Sequence, residues 1–168
     1  MIAWQKRSLE VANLLNPAFL SIVIQQCIKA YNVESKGNAP YVLPFLVSPI
    51  VLHKRTRDAL PGQISTPFTT WITQLEGSHT KIGYSERASS VVPYVKEALA
   101  FAFANNIIIT TEDDGSLRVN KQIRVPTHSN DTVTEEVVMC YKKAYFSGRW
   151  LARAGKIETV MALLGVKP

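Results

Sequence analysis

Two long stretches of this chain carry no charged side chain, residues 11–28 and residues 37–53. Uncharged runs of that length must be taken out of water, in a bilayer or in a core. A membrane-spanning helix needs ~20 predominantly apolar residues. The first stretch is interrupted by Asn13, Asn16, Pro17, Gln25 and Gln26, the second by Pro40, Pro44 and Pro49. Both therefore read as buried helices of a water-soluble fold, with no membrane partner. A chain of 168 residues is one domain by prior and buries roughly 68–70% of its unfolded surface. Residues 1–131 are expected to form a core unit, and 132–168 a helical pair packed on it.

Composition narrows the chemistry. Charged residues are 19% of the chain, under the usual fraction of about 25%, which excludes global disorder. Cys27 and Cys140 sit among apolar neighbours and read as small buried hydrophobes. The three histidines, His53, His79 and His128, have no metal-ligand spacing. The glycines are scattered as caps and turns and build no phosphate loop. No serine stands in a nucleophile-elbow setting. Glu112-Asp113-Asp114 lies beside Gly115 and reads as a solvated turn. The chain thus offers no catalytic, cofactor-binding or metal residues. Its first residues lack the apolar run of a signal peptide, so the cytoplasm is the expected compartment.

The predicted elements are mostly helical. Asn16-Pro17 is a cap followed by a first-turn proline. Phe19, Leu20, Val23, Ile24, Cys27, Ile28 and Tyr31 then form a buried stripe ending near Tyr31. Leu9, Val11, Ala12, Leu14 and Leu15 read as a short helix or buried turn before it. Residues 42–53 form a second helix, kinked or started late by Pro49. Thr66-Pro67 opens a third, with Phe68, Trp71, Ile72 and Leu75 inward and Gly77 at its end. Residues 84–105 are helical, split or bent at Pro93, and 98–104 are apolar on all sides, as in a central helix. Ile107 to Thr111 and Leu117 to Val119 flank a turn and read as a β-hairpin. Thr132 and Glu135 have the spacing of a capping box for a helix over 133–154, and Ile157 to Leu164 form the last. The fold class is α+β, mainly α-helical: a winged-helix-like core with one hairpin and a C-terminal helical pair.

The formal charge is +6, and it is unevenly placed. Between Val137 and Pro168 stand six basic residues and one acid, Glu158. On a continuous helix, Lys142, Arg149, Arg153 and Lys156 fall along one stripe. That stripe reads either as a solvated face or as a docking surface for an acidic protein or for phosphates, and Lys143 lies beside it. Lys54, Arg55 and Arg57 are a second basic group with the same two readings. Trp150 reads either as a second buried face or as an interface anchor, since Trp and Arg are enriched in binding hot spots. Arg87 either pairs internally with Glu86 or Glu97 or reaches a partner.

Several strings in order carry a resemblance: Leu14-Leu15-Asn16-Pro17-Ala18-Phe19, Leu52-His53 with Thr56-Arg57 and Leu60-Pro61, Trp71-Ile72, Gly148-Arg149-Trp150, and Leu163-Leu164-Gly165-Val166-Lys167-Pro168. Together they resemble the middle component of bacterial three-component ABC-ATPase systems. The resemblance implies a small non-enzymatic subunit working with an SMC/Rad50-type ABC ATPase and a third, variable component in anti-phage defence. It supplies no catalytic residues. SMC-type ATPases commonly use small winged-helix subunits, which the helix-then-hairpin order at 98–119 would suit. The expected function is therefore an adaptor between ATPase and effector, with Arg57, Arg87, Arg149, Trp150 and Arg153 at the partner interface. Lys142, Lys143 and Lys156 are the candidate phosphate or acidic-surface contacts. The alternative is a winged-helix DNA-binding protein, with DNA met directly or through the complex.

Overall fold

Asn16 starts the first helix as its sequence requires: its side-chain oxygen accepts from the Ala18 amide at 2.8 Å, with Pro17 in the first turn. The computed structural model describes residues 6–8, 12–13 and 15–167. The expected short helix around Leu9 to Leu15 lies largely outside them. Seven helices of five or more residues and one hairpin follow among the described residues: α1 (Pro17–Ser35), α2 (Leu43–Leu52), α3 (Lys54–Asp58), α4 (Phe68–Gly77), α5 (Tyr84–Ala104), β1 (Ile108–Thr110), β2 (Leu117–Val119), α6 (Glu135–Leu151) and α7 (Ile157–Leu164). The protein is mainly helical α+β. No described helix is long and apolar enough to cross a membrane.

The central element is α1, not the apolar end of α5. Its main neighbour is α6, followed by α5 and α2, while α4 packs on α7. Leu20, Val23, Ile24, Cys27 and Ile28 are all buried on it. On α5, by contrast, Ala100, Phe101 and Ala104 are exposed. Alanine is a strong helix former that loses little by facing water, so an alanine-rich run does not have to be enclosed. Helix α1 also runs a turn past its predicted end. Asn32 donates to Gly37 O at 2.9 Å and to Leu117 O at 3.3 Å, and Lys36 closes the helix in the left-handed region.

Proline is accommodated without splitting the helices. Pro93 lies inside an unbroken α5. The carbonyl that loses its helical donor there belongs to Ser89, which is exposed, so water can take that acceptor. Pro49, which is buried, likewise lies inside an unbroken α2.

The hairpin pairs Ile108 with Val119 and Thr110 with Leu117. Ala39, in the loop before α2, adds one bridge to Leu117, through bonds of 3.0 Å and 2.7 Å. At the tip, Asp114 turns inward: its Oδ1 accepts from Thr111 Oγ1 at 2.7 Å and from the Ser116 amide at 3.0 Å. Those bonds, the Thr111 hydroxyl first, hold its carboxyl down at about 2. A depressed folded value means the charged form stabilises the turn. That contribution is complete above pH ~4, the ordinary carboxylate value, and is lost as pH falls toward about 2. NMR titration of the Ser116 amide should therefore give a midpoint near the lower value. A midpoint at the ordinary carboxylate value would refute the inward bond.

After the hairpin, the chain crosses α1 as a strap. The buried Gln25 side chain donates to Lys121 O and accepts from the Ile123 amide, tying the strap to the central helix. Helix α6 then starts two residues later than its expected cap. Asn130 accepts from the Thr132 and Val133 amides, each at 2.9 Å, and Thr134 caps the helix by accepting from Val137 N. It also ends at Leu151, three residues short of the predicted end.

Candidate partner-docking surface

The early end of α6 breaks the predicted basic stripe. Lys142 and Arg149 remain on the helix, Arg153 falls in the following turn, and Lys156 is the residue before α7. Two of the four nevertheless converge, through a partner far away in sequence. Glu34, near the end of α1, accepts from Arg149 Nε at 2.8 Å on one carboxylate oxygen. Its other oxygen lies 3.2 Å from Arg153 Nε. The Glu34 side chain is 16% exposed, whereas those of Arg149 and Arg153 are 41% and 52% exposed. Both guanidiniums engage Glu34 through Nε, so their terminal amino groups are not used by that carboxylate. One negative charge is shared by two positive ones.

Arg153 also borders a groove of about 370 Å³ beside the 64–68 loop. Ile64, Thr66, Pro67 and Phe68 line it, with the edge of Trp150 beneath them. Packing and a hydrogen bond fix the indole in place. Trp150 is 1% exposed, its ring meets Trp71 edge-on at 5.0 Å and tilts on Phe68 at 5.1 Å. Its indole N–H donates to Thr66 O at 2.7 Å, as that of Trp71 does to Ala59 O. Trp150 is therefore mostly interior, and Arg149, one residue before it on the helix, is at the surface.

The other predicted contacts are placed differently. Arg57 is 3% exposed. It donates to Val51 O at 2.8 Å, to Cys140 Sγ at 3.4 Å and to the Glu136 carboxylate at 2.7 Å. It joins α3 to the end of α2 and the start of α6. Burial pushes the Cys140 thiol up, and the Arg57 charge partly offsets that. Arg87 pairs with neither Glu86 nor Glu97: it donates to Ile82 O at 2.7 Å and Thr80 O at 3.2 Å, holding the turn before α5. Glu97 is met by Arg7 at 2.8 Å. Lys142 is exposed between two shallow grooves under the strap. Lys143 lies over the Phe146 ring at 5.7 Å, and Lys156 is exposed.

Sequence reasoning missed two parts of this surface. Glu34 is the one acid in the 19-residue helix α1, and that isolation was the available signal. The second is an exposed basic set, Arg118, Lys121 and Arg124, along β2 and the strap. Among the described residues there is no group of three or more His, Cys, Asp or Glu placed to hold a metal ion.

Comparison with known proteins gives one result that spans the chain. The family model described as ABC-three component (ABC-3C) system Middle Component 3 matches residues 4–168. No curated protein and no solved structure matches.

Proposed function

We propose that this chain, which belongs to the ABC-three component system Middle Component 3 family, is a non-enzymatic adaptor in a bacterial anti-phage defence system. It joins an SMC/Rad50-like ABC ATPase to a third, sensor or effector component in the cytoplasm. The observation that carries the reading is membership across residues 4–168. A middle component has its role in what it assembles with. The Arg149–Arg153 rim and its groove supply a surface of the right composition, since Arg and aromatic side chains dominate binding hot spots.

The test is reconstitution. Co-expression with the ATPase and the third component encoded beside it should yield a stable ternary complex on size exclusion. Omitting this chain should separate the other two. If the chain co-purifies with neither, the adaptor reading falls.

A second reading rests on Arg118, Lys121 and Arg124, exposed along the hairpin and strap, and on the order of elements. Helix α5 runs directly into the hairpin, the helix-then-hairpin order that a winged helix also has, although three helices, α2 to α4, separate the Ala39 bridge from α5. Direct DNA binding would show log-log salt dependence with a slope of about −0.9 per neutralised phosphate. Glu112 and Asp113, exposed at the hairpin tip, oppose a phosphate backbone there. Absence of duplex binding at low salt would remove this reading.

A further inference from the structure

We infer that the groove beside Arg153 receives an acidic segment of a partner protein, with a carboxylate on the Arg149–Arg153 rim and an apolar side chain in the groove. This rests on the adaptor reading and names the chemistry of its partner. Three observations carry it. The two guanidiniums are held by Glu34 through Nε at 2.8 Å and 3.2 Å, so they are positioned before any partner arrives. A second acid can meet their terminal amino groups, the fork geometry in which Arg binds carboxylates best. One Glu against two Arg leaves the rim positive. The groove is mixed in character: Ile64 and the edge of the largely buried Phe68 line it together with polar groups, and Arg153 borders it.

That combination discriminates between classes of partner. A phosphate backbone can satisfy the arginines but brings no apolar side chain to the groove. A protein segment alternating acidic and apolar residues brings both. Glu34 has the chemistry of the incoming group, and it competes for the same cations. Removing its charge therefore leaves the rim more attractive to an acid, although less ordered.

The experiment uses the full chain with its own ATPase and third component, each purified. Arg153→Glu and, separately, Ile64→Ser should each weaken binding to one of them by about tenfold or more. Arg153→Glu should not shift the melting temperature by more than ordinary surface substitutions do, and Ile64→Ser, at a side chain half-buried against the core, is compared with the parent at a temperature where both are fully folded. Glu34→Gln should tighten the same binding a few-fold. Hydrogen exchange in the complex should protect 64–68 and 149–154. Changing the acidic residues of the partner's protected segment to Lys should restore binding to Arg153→Glu.

If the complex forms, its exchange protection lies elsewhere and both weakening variants bind as the parent does, this inference is overturned while the adaptor reading stands. If duplex DNA displaces the partner and Arg153→Glu lowers DNA affinity, the site is a nucleic-acid site and the inference is again overturned. If no complex forms with either component, the adaptor reading itself has failed.

Discussion

Gly148→Ala is expected to destabilise the fold by about 3 kcal/mol or more, the upper part of the range for overpacked cores. The sign is opposite to the helical rule. In an exposed helix, alanine is favoured over glycine by about 1 kcal/mol, and Gly148 lies in the last turn of α6. Its surroundings decide the matter. A Cβ at this position would stand 2.1 Å from Cys27 O, 2.9 Å from Cys27 C and 3.0 Å from the Ala30 methyl. The first two are backbone atoms of α1, so no side-chain rotation relieves the clash. The two helices would have to separate, and this is the main helix–helix packing of the molecule. Stability of a domain of this kind is about 5–15 kcal/mol, so the loss is a large fraction of it. Urea denaturation should show a lower midpoint with an unchanged slope. A midpoint equal to or above the parent's would mean that α1 and α6 are not in this close register.

The same glycine shows what was legible in the sequence and what was not. Local signals predicted local structure well: the Asn16 cap, the α1 stripe, the inward face of Phe68, Trp71, Ile72 and Leu75, and the hairpin around Gly115 all stand where patterning placed them. Helical periodicity puts Gly148 on the packed face with Tyr141, Ala144 and Leu151, but it does not show that the position must be glycine, because that is set by the Cys27 backbone more than a hundred residues away. Glu34 and Arg149 are 115 positions apart, and no periodicity joins them. Where local rules compete, neighbours decide. Thr132 fits the capping-box spacing, but Asn130 already accepts from its amide, so Thr134 takes the cap. The basic stripe assumed an unbroken helix. Once α6 ends at Leu151, Arg153 lies in the following turn, where it meets Glu34 and borders the groove, a geometry that helical spacing does not contain.

Trp150→Ala separates fold from interface, and it is expected to cost about 3–5 kcal/mol, the range for emptying a buried aromatic site. The indole is fully enclosed, stacks on Phe146 at 6.4 Å and meets Phe68 and Trp71 at 5.1 Å and 5.0 Å. Truncation leaves a cavity in an aromatic cluster and deprives Thr66 O of its 2.7 Å donor. Trp150→Phe keeps most of the volume and loses the hydrogen bond, so it should cost less, about 1–3 kcal/mol. Both variants should lower the thermal midpoint, and Trp150→Ala should also loosen the 64–68 loop, which the indole N–H anchors at Thr66. Any loss of partner binding in Trp150→Ala would then come through the loop and the lost fold. It should be recovered at low temperature to the extent that folding is. Arg153→Glu should lose binding with its midpoint nearly unchanged. If Trp150→Ala instead melts like the parent and still loses its partners, the indole is a direct contact and not the base beneath one.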